Sequence, residues 1–192
     1  MKKIKKKKII IGLVGEIASG KDTMADYLEK KYNSQTISLS KPLRDILDRL
    51  YLSQTRKNMS DLGIFLRKNF GKDILGRTIT KEVIISKKPI VCLPNIRLDS
   101  DIVQLKKLPN FILVHIDTNA KTRHKRLTKR SQNPDDKTKT WLQFIKDSKM
   151  VAERKIRVIA KRAKYKIDNN GTHKELHTQI DDIMNKILNI KK

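Results

Sequence analysis

The residues best suited to chemistry stand together in Gly15-Glu16-Ile17-Ala18-Ser19-Gly20-Lys21-Asp22-Thr23. Two glycines bound four residues, and a lysine follows the second. Glycines let the main chain curl so that successive N–H groups face inward, which makes a concave anion site. Ile9–Val14, just before, is an apolar run that reads as a short buried strand. Met24-Ala25-Asp26-Tyr27-Leu28-Glu29-Lys30, just after, reads as an amphipathic helix. A helix start adds unpaired N–H groups and the positive end of its dipole. Strand, glycine-bounded loop, lysine and helix together predict phosphate binding. Gly15, Ala18, Ser19, Gly20, Lys21, Asp22 and Thr23 are expected to wrap a polyphosphate, with the Lys21 charge on its outer phosphates.

A hydroxyl directly after the lysine usually meets a magnesium ion. Here Asp22 holds that place and the hydroxyl comes one residue later, at Thr23. Thr23 and Asp22 are therefore expected on the metal. A third metal candidate is Asp117, which ends the apolar run Phe111-Ile112-Leu113-Val114-His115-Ile116. A strand ending in aspartate is one way to hold magnesium through water. His115 within that run reads as a packed strand residue.

Cations gather at other predicted strand exits. Ser38-Leu39-Ser40-Lys41-Pro42-Leu43-Arg44 places Lys41 and Arg44 at a helix start, where cations oppose the dipole unless an anion is bound. Arg97 follows the run Ile90-Val91-Cys92-Leu93. Lys41, Arg44 and Arg97 are the candidate contacts for an acceptor phosphate, and Arg offers a planar two-pronged donor. Asp99 and Asp101 are open to helix capping or to metal. Arg123, Arg126 and Arg130 recur at spacings of three and four, hence on one helical face. With a phosphate loop upstream, they are expected to neutralise charge on a transferring phosphoryl group together with Lys21. The polar stretch Ser131–Lys137 reads as the tip of a lid. Arg154, Arg157 and Lys161 form a further basic stripe, of which one or two are expected to join that lid. Arg56 and Arg67 read as solvated.

The elements that must position these groups alternate. Strands are predicted at Ile9–Val14, Gln35–Leu39, Ile90–Leu93, Phe111–Asp117 and Tyr165–Asp168. Helical patterns lie at Lys21–Lys31, Pro42–Leu52, Ser60–Asn69 with Ser60 as its cap, Asp73–Ile85, Ser100–Lys107, Ala120–Arg130, Thr138–Asp147, Met150–Ala163 and His173–Ile190. Alternation predicts an α/β fold of three layers, a parallel five-stranded sheet with helices on both faces. Continuously apolar strands suit a sheet covered on both sides. Ligands of such a sheet bind beyond its strands' carboxyl ends. The predicted organisation is a single domain, 1–192, with a basic tail at 1–8, acceptor-binding helices at 41–87 and a lid region at 124–153. Thr172 and Glu175 have the spacing of a capping box for the last helix. Asn169 and Gly171, at the last strand's exit, are candidates for the adenine edge, though a plain turn would read the same.

The chain has 192 residues, 38% of them hydrophobic, which suits one domain with its own core. A single cysteine, Cys92, excludes an internal disulfide and reads as packed. No apolar run approaches membrane-spanning length. The Lys-rich start reads as a solvated basic tail, because the apolar run after it is too short for a signal peptide. These features fit a cytoplasmic protein without a membrane partner. The formal net charge is +25. It favours polyanions, whether nucleotides or nucleic acid, and it also fits a lysine-, isoleucine- and asparagine-rich composition. Aromatics are only 5%, so platforms for base stacking are not evident and nucleic acid is possible but not favoured. Nothing in the sequence speaks to oligomeric state.

On these residues the chain resembles the P-loop nucleoside monophosphate kinase superfamily, over nearly its whole length. It is most similar to phage-type deoxynucleoside monophosphate kinases and dephospho-CoA kinase-like proteins. Gly15-x4-Gly20-Lys21-Asp22-Thr23 carries the resemblance, and G-K-x-T is the arrangement of adenylate kinase-like enzymes. Ser40–Arg44, Asn95-Ile96-Arg97 with Asp101, Arg123–Arg130 and Ile167–Thr172 support it as an ordered set. The resemblance implies ATP and Mg2+ as cofactors and transfer of the γ-phosphoryl group to a small phosphorylated acceptor, a nucleoside or deoxynucleoside monophosphate. Dephospho-CoA kinase is the alternative acceptor class. A nucleic-acid-binding P-loop protein is the alternative of another kind. Two departures stand out. No acidic residue ends the third strand, near Pro94. Ser38-Leu39-Ser40 stands where dephospho-CoA kinases carry an aspartate that activates a hydroxyl.

Overall fold

A computed structural model describes residues 8–129, 137–149 and 151–188. In chain order the elements are β1 (Ile9–Val14), α1 (Lys21–Tyr32), β2 (Gln35–Thr36), α2 (Lys41–Arg49), α3 (Arg56–Phe70), α4 (Ile74–Ile85), β3 (Ile90–Leu93), α5 (Asp99–Ile102), a 3-10 turn (Leu105–Lys107), β4 (Phe111–Asp117), α6 (Ala120–Lys129), α7 (Trp141–Ser148), α8 (Val151–Ala160), β5 (Tyr165–Asp168) and α9 (His173–Leu188). The five strands are all parallel, in the order β2-β3-β1-β4-β5. The predicted three-layer α/β architecture is the one observed.

Strand β1 lies at the centre and its side chains alternate between two cores. Ile10 and Val14 join Ile79 and Val83 of α4 and Ile156 and Ile159 of α8. Ile11 and Leu13 join Met24 and Leu28 of α1 and Leu176 and Ile180 of α9 on the other face. Burial of each such side chain stabilises by roughly 1.5–3 kcal/mol. Gly12 faces the first core. A Cβ there would stand 2.4 Å from Ile96 Cδ1. The missing side chain lets the loop after β3 pack on β1, where Ile96 N donates to Leu13 O at 3.4 Å. That contact brings the exit of β3 beside the exit of β1.

Several predicted boundaries move. Strand β2 is two residues long rather than five, and Gln35 and Thr36 are both exposed at the sheet edge. Beyond it Ser38 and Ser40 bend the chain, their hydroxyls 2.9 Å apart, and Lys41 N donates to Ser38 O at 3.0 Å. Helix α3 begins at Arg56 and is capped by Thr55, not Ser60, because Thr55 Oγ1 accepts from Asn58 N at 3.1 Å. The helix expected over Ser100–Lys107 is broken into α5 and the 3-10 turn. The predicted capping box of α9 is formed: Thr172 N donates to Glu175 Oε2 at 2.7 Å and Thr172 Oγ1 accepts from Glu175 N at 3.3 Å. These bonds favour the charged carboxylate and hold Glu175 below its ordinary pKa. Cys92 is buried, and burial pushes its thiol pKa up. Among the described residues no helix is long and apolar enough to cross a membrane.

Candidate active site

Parallel strands put all their carboxyl ends on one edge, and the loop from Gly15 to Gly20 curls over it from β1 into α1. Close approach demands Gly15. A Cβ there would lie 2.5 Å from Ser19 Oγ and 2.7 Å from Ile116 O. Two residues take left-handed backbone, Ala18 at φ 59° and Gly20 at φ 97°. They reverse the chain so that it enters α1 with Gly20 as N-cap. Helix α1 starts with the bond from Met24 N to Gly20 O, 3.0 Å. The N–H groups of its first turn, on Lys21, Asp22 and Thr23, therefore have no intrahelical acceptor.

The loop is braced from beneath. Ser19 O accepts from Asn169 Nδ2 at 2.8 Å and from Thr118 Oγ1 at 3.1 Å. Asn169 N in turn donates to Asp117 O at 2.8 Å. Ser19, Thr118 and Asn169 are all buried. Lys21 Nζ folds back over the curl, donating to Gly15 O at 2.8 Å and Glu16 O at 2.9 Å. Its charge therefore sits at the mouth of the loop, where an outer phosphate of a polyphosphate would lie.

Glu16 is a carboxylate within an anion-binding loop, and two arginines hold it. Arg123 Nη2 meets Oε2 at 3.0 Å. Arg157, on α8, meets Oε1 through Nη2 at 2.8 Å and Nε at 3.0 Å. The two differ in setting. Arg123 is 3% exposed and also donates to Thr118 O and Ile17 O. Arg157 is half exposed and adds one bond to Ser148 O, at the end of α7.

The structure sorts the residues expected from the sequence. Lys21, Asp22 and Thr23 stand at the loop's mouth, with Asp22 exposed and Thr23 half-buried. Arg123, expected on a transferring phosphoryl group, is buried beneath the loop and donates to Ile17 O. Arg126 is half-buried, its Nη1 has no hydrogen-bond partner among the described residues, and burial pulls its pKa down. Arg130 lies outside the described residues. Asn169 points its amide at Ser19 O, so that amide is spent on the loop rather than on a base. Gly171 lies exposed beside Glu175, at the start of α9.

Asp117 is engaged elsewhere. Lys166 on the neighbouring strand binds its carboxylate at 2.7 Å, and that bond holds its pKa below the ordinary value. Burial lowers the pKa of its neighbour His115. Among the described residues no cluster of three or more His, Cys, Asp or Glu could hold a metal.

Of the residues expected to meet an acceptor phosphate, Lys41 pairs with Asp45 at 2.5 Å and Arg44 donates to Gln54 Oε1, which is itself tied to Asp48. Arg97 is exposed and, among the described residues, bonds to nothing. Arg67 is not solvated as expected. Its Nη2 binds Asp101 Oδ1 at 3.1 Å, and Asp101 is 3% exposed. Asp101 Oδ2 accepts from Leu98 N at 3.1 Å, so this carboxylate caps α5 and anchors α3 together.

The profile of the AAA domain family matches residues 14–143, which takes in the phosphate loop, α2 to α4 and α6. The chain belongs to the AAA domain family. Curated relatives of this AAA domain include a UPF0200 protein, MJ1399, of Methanocaldococcus jannaschii. It is 26% identical over 183 residues, covering 94% of this chain and 91% of the relative. A UPF0200 protein of Sulfurisphaera tokodaii is 25% identical over 181 residues, covering 93% and 97%. Among solved structures, shikimate kinase from Bacteroides thetaiotaomicron superposes with a TM-score of 0.63 at 16% identity, over 95% of this chain and 99% of that one. TT1252 from Thermus thermophilus gives 0.58 at 19%, over 97% and 100%. At such identities the likeness is one of fold, and the AAA domain has the P-loop kinase fold.

From the sequence alone Glu16 has no role, Arg157 stands only on a basic stripe beside the lid, and Asn169 and Arg67 are assigned otherwise than the structure has them. One signal was available. An acid in the variable part of a phosphate loop repels phosphate unless cations neutralise it, so Glu16 implies partners.

Proposed function

We propose that this AAA domain is an ATP-dependent phosphotransferase that moves the γ-phosphoryl group of ATP to a small phosphorylated acceptor, a nucleoside or deoxynucleoside monophosphate. The observation that carries the proposal is one juxtaposition. The braced loop with Lys21 at its mouth stands beside the exit of β3, where Arg97 is an exposed guanidinium without a partner among the described residues. A polyphosphate fills the first and an acceptor phosphate meets the second. Lys41 and Arg44 stand at the start of α2, whose carboxylates and Gln54 hold them until an anion arrives. An acceptor phosphate oxygen is already anionic, so transfer needs no strong base. Positioning and charge neutralisation supply the catalysis.

Lys21 steadies the outer phosphates and the N–H groups of Gly20 to Thr23 wrap them. Arg126 brings a half-buried guanidinium with an unsatisfied N–H, suited to charge that develops during transfer. Arg123 acts by keeping the loop curled. Magnesium prefers few protein ligands and several from phosphate and water. Asp22 and Thr23 fit that preference, whereas Lys166 occupies the Asp117 carboxylate. The ion, when bound, would neutralise β- and γ-phosphate charge. The hydroxyls of Ser38 and Ser40, bonded to each other, offer no carboxylate base at the exit of β2. Their place argues against dephospho-CoA as acceptor. Such an enzyme would work in the cytoplasm.

A thermal-shift panel tests the proposal. Nucleoside monophosphates, deoxynucleoside monophosphates and dephospho-CoA are each added with ATP and magnesium. A monophosphate is expected to raise Tm beyond ATP alone and to become labelled from γ-labelled ATP. No transfer to any of them ends this reading. Tight retention on nucleic acid with a steep salt dependence, and no response to monophosphates, would replace it with the polynucleotide-binding one.

A further inference from the structure

We propose that Arg157 is the guanidinium that binds the outermost phosphate, and that Glu16 is its surrogate ligand, holding it over the loop until a triphosphate takes it. Glu16 is thus a positioning residue. The inference rests on the phosphotransferase reading above and adds two residues and an order of events to it.

The Glu16 side chain is 19% exposed and sits in a loop whose main chain attracts anions. Alone there it would oppose phosphate binding. Arg123 and Arg157 together leave the trio with one net positive charge. The two arginines are not equivalent. Arg123 is fixed by burial and by main-chain acceptors on two segments, Thr118 O and Ile17 O. To move it would strand buried polar groups. Arg157 faces solvent on one side and is held by a single carboxylate oxygen and one helix-end carbonyl. An ion pair with one partner half in solvent contributes little, because water competes for the exposed side chain. Several phosphate oxygens are stronger acceptors for a two-pronged donor than one carboxylate oxygen that Glu16 can surrender.

The geometry sets where the exchange occurs. Glu16 O already accepts from Lys21 Nζ at 2.9 Å. The residue that holds Arg157 by its side chain thus holds the phosphate-binding lysine by its main chain. Helix α8 is seated by Ile156 and Ile159 in the same core as Ile10 and Val14 of β1. The exchange proposed is therefore a rotation of the Arg157 side chain on a helix that stays packed against β1. After that exchange Arg123 still neutralises Glu16. The carboxylate does not then repel the nucleotide with its full charge.

Discrimination between ATP and ADP tests this, because only ATP carries the phosphate in question. Affinities of both are measured by calorimetry for the wild type, Arg157→Gln, Arg157→Lys and Glu16→Gln. Arg157→Gln is expected to weaken ATP roughly tenfold or more, as for a hydrogen-bonded charge pair, and to leave ADP within about twofold. Arg157→Lys, a point charge without the fork, falls between the two. Glu16→Gln removes the competitor and is expected to tighten ATP by roughly two- to fivefold without changing ADP. A purely structural pair would weaken both nucleotides alike, or neither, in all three variants. That result overturns the inference and leaves the phosphotransferase reading intact. A wild type that binds neither nucleotide overturns both.

Discussion

Asn169 Nδ2 donates to Ser19 O at 2.8 Å, so the last strand's exit is bolted to the phosphate loop. Both partners are buried, and Thr118 Oγ1 shares the same acceptor. Asn169→Ala removes one of two donors and opens a gap beneath the loop. The expected loss is about 1–2 kcal/mol of stability in urea unfolding. ADP affinity should fall at least several-fold, because the curl that aims the N–H groups loosens. Unchanged nucleotide affinity would show that the loop keeps its shape without this brace.

Two left-handed residues in the loop predict opposite responses. Gly20 has φ 97°, and a Cβ there would lie 2.1 Å from Asn169 Nδ2. Gly20→Ala therefore both strains the backbone and displaces the brace, with an expected cost of roughly 2–4 kcal/mol. Ala18 already bears the penalty of a left-handed L-residue at φ 59°. Ala18→Gly relieves it, offset in part by unfolded-state entropy, for a net gain of roughly 0.5–1 kcal/mol. Chemical denaturation of the two variants side by side checks the signs. A destabilised Ala18→Gly would mean that the strain is not borne in the folded loop.

β1, β3 and β4 were legible in the sequence because a doubly covered strand needs an apolar run, as at Ile9–Val14 and Ile90–Leu93, whereas β5 is an edge strand in which only Ile167 is buried. β2 was misjudged in length because an edge strand needs little burial, and Ile37 and Leu39 are buried without being strand. The loop was legible because Gly15, Gly20 and Lys21 are required by backbone geometry and charge, which are local properties. Its brace was not. Asn169 lies 150 positions from Ser19, and only the pairing of β4 with β5 brings them together. The same holds for Glu16 and Arg157, which are 141 positions apart, and for Arg67 and Asp101. Periodicity placed Arg123 and Arg126 on a helix, and both lie on α6. It could not tell that Arg123 points under the loop, because side-chain burial depends on what lies opposite.

Asp181 makes stability depend on pH at both ends. Its carboxylate accepts from Tyr32 Oη at 2.7 Å, Tyr27 Oη at 2.9 Å and Lys31 Nζ at 2.7 Å, which pins α9 to α1. Burial pushes its pKa up, but the bonds from Lys31, Tyr32 and Tyr27 outweigh that and leave it below the ordinary value of 3.8. A depressed folded pKa contributes stability above 3.8 that is lost as pH falls through the lower folded value. Burial, and then the bond to Asp181, push Tyr32 from 10.0 up to about 12. A raised folded pKa contributes stability below 10.0 that is lost as pH rises toward about 12. Asp181→Asn should lower Tm at neutral pH and flatten both flanks of the Tm–pH curve. Parallel curves for wild type and variant would show that the cluster does not titrate with folding.

On the proposed phosphotransferase reading, variants of Arg97 and Arg67 separate acceptor binding from positioning. Arg97 is exposed and has no partner among the described residues, so Arg97→Ala removes nothing the fold uses. It should leave Tm within about 1 °C, because surface changes cost little. It should raise KM for the acceptor roughly tenfold, as a lost charged hydrogen bond does, with KM for ATP unchanged. Arg67 instead ties α3 to Asp101, whose other oxygen fixes the start of α5 just past Arg97. Arg67→Met leaves a carboxylate of 3% exposure with one partner fewer. The expected loss is roughly 2 kcal/mol, below that of a fully buried pair because the Arg67 side chain is 25% exposed. Acceptor KM should rise in this variant too, but together with the stability loss. Steady-state kinetics and urea unfolding on both proteins distinguish the cases. If Arg97→Ala leaves acceptor KM unchanged while Arg67→Met raises it, the acceptor phosphate sits on the α3 side instead of at the β3 exit, and Arg97 has no part in holding it.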